Sequence, residues 1–227
     1  MFPLKDNIPA KHFPAVNLWL ILVNVLCFIY EVKLGHGLEE FVRMYGFIPA
    51  RFLYLQERNI VDVSRFVPVF SSMFLHANFM HLLGNVWMLW IFGDNVEDRM
   101  GHLRYFFFYI LCGIMAVVAQ AWSGPNSAMP MLGASGAIAG VLGAYLLLYP
   151  KARILTLVPI VIFFYLVEIP AFVFLGIWFL IQFVQGYYLL TFGSLVEGGV
   201  AFWAHIGGFA AGVFFVYFFT KRKVGRK

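Results

Sequence analysis

Charge is what this sequence has least of. Lys, Arg, Asp and Glu together make up 12% of its 227 residues, about half the share usual in a soluble domain. Against this, 62% of the residues are hydrophobic. A soluble globular protein is thereby excluded, and no sizeable soluble domain fits beside the apolar segments. The basic excess, 16 Lys and Arg against 11 Asp and Glu, does not suggest nucleic acid, because most of the cations lie in short segments beside predicted helix ends. Cysteine is nearly absent. Cys27 and Cys112 both fall within apolar runs, so neither a disulfide framework nor a metal site is expected, and the two read as packed core thiols.

What is present in abundance is apolar sequence in runs approaching the roughly 20 residues that a membrane-spanning helix needs. Six spans are predicted, at about 15–35, 79–96, 104–122, 132–149, 170–190 and 200–220. The expected fold class is all-α: a polytopic membrane helical bundle, with residues 1–227 as one domain. The first run begins near Ala15, after Lys5, Asp6 and Lys11, and is long enough to be a true span rather than a cleaved signal peptide. The long loop 36–70 carries Arg43, Arg51, Arg58 and Arg65 among apolar residues and is expected to be partly helical and interfacial. Segment 153–168 is apolar, but it contains Pro159 and ends at Glu168-Ile169-Pro170. At ~1.5 Å per residue it would barely cross, so an interfacial or re-entrant segment is expected.

Charge placement orients the chain, because cytoplasmic loops are enriched in Lys and Arg. With six spans, one side receives Lys5, Lys11, Arg99, Arg104, Lys151, Arg153 and the tail cations Lys221, Arg222, Lys223, Arg226 and Lys227. The other side holds Lys33 and the four loop arginines. The N-terminal segment 1–14 and the basic tail 221–227 are therefore expected in the cytoplasm, with the chain in a cell membrane, expected to be a prokaryotic plasma membrane. This orientation puts four polar residues in the outer halves of their spans: His81 and Asn85 in the second, Ser135 in the fourth and His205 in the sixth.

Polar side chains in hydrocarbon are costly and usually face the bundle interior. Ser135 lies in Gly133-Ala134-Ser135-Gly136 and His205 in Ala204-His205-Ile206-Gly207-Gly208. Ser135, Ala139 and Gly143 fall on one helical stripe and Gly136 and Gly140 on the next, while Gly208 and Gly212 share a face with His205. Small residues at this spacing let helix backbones approach closely, which would bring the hydroxyl and the imidazole together. Such a pair suffices for acyl transfer, with histidine as general base for a serine nucleophile. Asp94, Glu97 and Asp98 are at the cytoplasmic end and Glu197 is in an outer loop. No carboxylate is therefore expected at the depth of the serine, and a Ser–His dyad is read rather than a triad. His81 and Asn85, four apart on one helix, project from one face and could donate to the oxyanion alongside the Ser135 amide. His76 and His81 do not match the His-Glu-x-x-His zinc pattern, and no metal or cofactor is expected.

The motif around His76, His81 and Asn85, the Gly133-Ala134-Ser135-Gly136 segment and Ala204-His205-Ile206-Gly207-Gly208 resemble, in order, those of the rhomboid intramembrane serine proteases. Tyr45-Gly46-Phe47-Ile48-Pro49-Ala50-Arg51 and the segment from Phe92 to Gly101 are similar to rhomboid segments as well. The resemblance covers about 40–220. It implies Ser135 as nucleophile, His205 as base, and His81, Asn85 and the Ser135 amide as oxyanion donors. Gly133 and His76 would shape the site, and Glu97 and Arg99 would belong to a structural motif at the cytoplasmic end. It implies transmembrane protein substrates cut near the outer membrane face, and a fifth span acting as a lateral gate, with Trp178, Gln182 and Gln185 on one face. Many members place an aromatic four residues after the serine, where this chain has Ala139, so Trp203 or Phe209 is the expected substitute. Some carry a Trp-Arg pair in the first loop, which here contains no tryptophan.

Two other function classes are open to such a chain. One is a catalytically inactive rhomboid-like protein that binds membrane clients, against which the intact Ser135 and His205 argue. The other is a transporter, which usually lines a path through both membrane halves with polar residues. Here the polar cluster is confined to one half.

Overall fold

The computed structural model describes residues 1–58, 63–192 and 200–221. The expectations for Glu197 and for the tail beyond Lys221 lie outside these residues. Each of the six predicted spans contains a helix: α1 (Ala15–Lys33), α5 (Phe79–Met100), α6 (His102–Ser123), α7 (Ser135–Leu148), α8 (Ala171–Phe192) and α9 (Phe202–Phe219). The first loop supplies three short ones, α2 (Leu38–Tyr45), α3 (Pro49–Glu57) and α4 (Val67–Ser71). α1, α6, α8 and α9 are each long and apolar enough to cross a membrane. α5 passes that test only together with 63–74, from which it is bent by 79°. α7, at 14 residues, is shorter. By length and composition, four or five helices among the described residues can span a membrane, in a helical membrane bundle.

α7 sits at the centre: every residue from Gly136 to Tyr145 is buried. Its glycines explain how its neighbours come so near. A Cβ on Gly208 of α9 would run into the carbonyl of Gly136, and one on Gly212 into the carbonyl of Gly140. On the other flank, a Cβ on Gly140 would strike the Cys112 side chain of α6. Backbone-to-backbone packing of this kind replaces the hydrophobic drive that helices lose in lipid.

At the C-terminal end of α5, Glu97 is buried and its carboxylate accepts from the backbone N–H groups of Val16 (3.0 Å) and Asn17 (2.7 Å). It thereby satisfies orphan donors at the start of α1, whose N-cap Pro14 offers no side-chain cap. Asn17 in turn donates to the Leu89 carbonyl and accepts from the Tyr105 hydroxyl, each at 2.9 Å. The Arg99 carbonyl accepts from the Lys221 N–H at 3.0 Å.

The first loop, lacking tryptophan, is held by other means. The Arg51 guanidinium donates to the carbonyls of Arg43 (2.5 Å) and Gly46 (3.2 Å), closing the end of α2. Buried Phe47 forms an antiparallel bridge with Met131, which ties the loop to the segment leading into α7.

Segment 153–168 departs from expectation. The segment expected to be interfacial or re-entrant is a hairpin rather than a helical run, β2 (Arg153–Ile160) and β3 (Phe163–Pro170). The N-terminal residues add a strand, β1 (Phe2–Asp6), to give the antiparallel order β1-β2-β3. Composition explains this: Ile154, Thr156, Val158, Ile160, Phe163, Phe164, Tyr165 and Val167 are β-branched or aromatic, types that favour strands. The apolarity of the run hid that preference.

Candidate active site

Three helix beginnings meet at one end of the bundle, those of α5, α7 and α9. Ser135 is the first residue of α7, and Ala134 at its N-cap makes no side-chain cap. The Ser135 N–H is therefore one of the orphan donors of a helix start. The backbone enters this position through Gly133 at φ +123°, a conformation that side chains rarely adopt. Its N–H donates to the Ser72 carbonyl at 2.8 Å. Absence of a side chain also leaves room for a ring, since a Cβ on Gly133 would lie 2.6 Å from Cε1 of His81. Glycine at 133 therefore leaves open the space beside Ser135 that the His81 ring occupies.

His205, in the first turn of α9, is 8% exposed. Its Nε2 lies 2.7 Å from the Ser135 Oγ. The start of α9 is fixed by the Gln120 side chain of α6, which accepts from the Ala204 N–H at 3.3 Å. On the far side of the ring, His205 Nδ1 lies 2.7 Å from Oε1 of Gln182 on α8. One turn before Gln182, Trp178 lies over the imidazole at a centroid distance of 5.9 Å and a tilt of 34°.

Asn85, one turn after His81, is buried, and its amide nitrogen has no hydrogen-bond partner among the described residues. His76 is buried edge-on to His81 at 5.2 Å, and neither of its ring nitrogens finds a partner there. Asn78 accepts from the His81 N–H at 2.9 Å and so caps α5, which sets the direction from which His81 and Asn85 project. This end of the molecule thus has a serine hydroxyl hydrogen-bonded to an imidazole, beside polar groups that are not otherwise engaged among the described residues. It can support acyl transfer chemistry.

Several sequence expectations change on this geometry. Neither Trp203 nor Phe209 lies against the His205 ring. Trp203 donates its indole N–H to the Gly186 carbonyl at 3.1 Å, and Phe209 packs on Phe179 and Trp178. Gln182 meets the His205 ring instead, while Gln185 is exposed. A carboxylate that the sequence pattern does not reveal also lies at this end. Glu31 in the last turn of α1 is buried and accepts from the His76 backbone N–H at 3.2 and 3.1 Å. It braces the approach to α5 and makes no hydrogen bond to His205. The signal for Gln182 was present as a polar residue in a span, one turn from Trp178, but sequence could not say which neighbour α8 turns toward.

Residues 63–222 match the rhomboid domain family. The chain belongs to the rhomboid family. It is 27% identical over 190 residues to rhomboid protein 1, mitochondrial, of Saccharomyces cerevisiae, covering 82% of this chain and 50% of that protein. It is 29% identical over 137 residues to the chloroplastic rhomboid-like protein 11 of Arabidopsis thaliana, covering 60% and 43%. With rhomboid protease GluP of Bacillus subtilis it shares 29% identity over 129 residues, covering 57% and 23%. The chain spans half or less of the length of these relatives. Two of the three names place the relative in an organelle, which runs against the expected prokaryotic plasma membrane. A multi-pass membrane protein of the rhomboid family is what stands.

Proposed function

We propose that this chain is an intramembrane serine endopeptidase that hydrolyses peptide bonds of transmembrane proteins near the outer membrane face, with residues 1–227 acting as one domain. The observation that carries this reading is the 2.7 Å hydrogen bond between Ser135 Oγ and His205 Nε2. The name of the Bacillus relative, a rhomboid protease, accords with it. Ser135 attacks the scissile carbonyl as Nε2 takes its proton, and the same imidazolium then protonates the leaving amine. The oxyanion forms toward the start of α7, where the Ser135 N–H, the Asn85 amide and the His81 ring supply donors. His76 supports the His81 ring, and Gly133 gives it room.

α7 is 14 residues long, or about 21 Å at 1.5 Å per residue, against roughly 30 Å of hydrocarbon. A helix this short favours a serine below the membrane surface, at the base of a water-filled opening. The side carrying that opening is read as the outer one, with both termini in the cytoplasm, from the distribution of Lys and Arg. A substrate helix must unwind to expose its backbone, so segments with Gly or Pro near the outer interface suit the site best.

The test is cleavage of a single-span reporter by purified protein in liposomes. Cleavage by the wild type and none by Ser135→Ala is expected. Equal cleavage by both would sink the proposal, and a folded wild type that binds such clients without ever cutting them would favour an inactive client-binding protein.

A further inference from the structure

We propose that Gln182 is the positioning residue of the base, so that α8 completes the Ser135–His205 pair although it contributes no reacting atom. This rests on the reading of those two residues as nucleophile and base.

For Nε2 to receive the serine proton, it must present its lone pair, so the ring proton must sit on Nδ1. Nδ1 is 2.7 Å from the Gln182 amide oxygen. An amide oxygen can only accept, so this contact selects the tautomer with Nδ1–H. The 2.7 Å contact on the opposite nitrogen then aligns Nε2 on the Ser135 hydroxyl. The ring is held at both ends along one line.

The same helix also flanks the ring. Trp178 and Gln182 are one turn apart on α8 and both face His205. On the α7 side the position one turn after the serine is Ala139, fully buried, whose methyl group cannot hold an imidazole in plane. The buried carboxylate at this end, Glu31, is committed to the His76 backbone. Among the described residues, Gln182 is the group hydrogen-bonded to Nδ1. A neutral amide fits an apolar surrounding better than a carboxylate, because it fixes the tautomer without the cost of an extra buried charge.

α8 is otherwise weakly embedded. Of its 22 residues, the buried ones are Ala171, Phe174, Leu175 and Gly186. A base oriented from such a helix is competent only while α8 is seated, so access along α8 and reactivity at Ser135 are coupled through one hydrogen bond.

The experiment measures kcat and KM for reporter cleavage in liposomes, with thermal unfolding, for the wild type, Ser135→Ala, Gln182→Met and Gln182→Glu. Methionine keeps the length of the side chain and removes the acceptor, whereas glutamate restores an acceptor. The expected result is a fall in kcat of about 10- to 100-fold for Gln182→Met, by analogy with the loss of a partner that orients a metal-bound histidine. KM and the unfolding temperature should stay near wild type, and Gln182→Glu should recover most of kcat. A Gln182→Met protein with kcat at or above wild type overturns the proposal. So does a folded Gln182→Glu protein as impaired as Gln182→Met, since side-chain shape would then be the cause. If Gln182→Met does not fold, the Gln182→Glu result decides: retained cleavage supports the role, and loss in a folded protein rejects it. Wild type and Ser135→Ala behaving alike would instead refute the protease reading.

Discussion

The α7–α9 pair and α8 hold the same site by opposite means. α7 and α9 meet through glycines, with Gly208 against the Gly136 carbonyl and Gly212 against that of Gly140, and α7 is buried for most of its length. Their backbones fix where Ser135 and His205 begin. α8 shows most of its surface outward, including Leu180 at 58% and Tyr187 at 61% exposure, and reaches the site through Trp178 and Gln182. One contact sets position, and the other sets the orientation of a ring. If Gln182 positions His205 as proposed, close packing and catalytic alignment come from different helices. A site can have a rigid floor and an adjustable wall.

The largest effect should come from the rigid side. In Gly212→Ala the new methyl group meets the Gly140 backbone with no flexible side chain to yield. Overpacking of this kind costs about 1–3 kcal/mol. Unfolding in mixed detergent should show that loss, together with reduced cleavage as the two backbones part. A Gly212→Ala protein as stable as wild type would mean that α7 and α9 are not held at glycine distance.

The matching change on α8 should be small and of opposite sign. A Cβ at Gly176 meets nothing within 4 Å, and Ala in a helix interior is favoured over Gly by about 0.5–1 kcal/mol. Gly176→Ala should therefore be neutral to slightly stabilising in the same unfolding assay. A clear loss of stability there would show that α8 is packed as tightly as α9, and the contrast between the two regions would collapse.

Much of the site was legible because its residues are exceptions in an apolar chain. Ser135, His205, His81 and Asn85 stand out as polar positions in spans, and the glycines beside them carry the packing signal. The places of α1, α5, α6, α7, α8 and α9 followed from apolar length. What was not legible depended on which neighbour a face meets. Gln182 read as one of several polar residues on α8, and its partnership with His205 appears only once the rotation of α8 about its axis is known. Glu31 was passed over because its partner is a backbone N–H at His76, 45 residues away, which no spacing reveals. The 153–168 hairpin was hidden because apolar strands and short apolar helices look alike by hydropathy, while pairing with Phe2–Asp6 is a long-range event.

The central claim is that Ser135 is a nucleophile activated by His205, and covalent labelling tests it most directly. Purified protein treated with a fluorophosphonate and mapped by mass spectrometry should carry the adduct on Ser135. The adduct should be lost in His205→Ala while the protein remains folded. A folded wild type that takes no label at Ser135, or undiminished labelling in His205→Ala, would contradict the account.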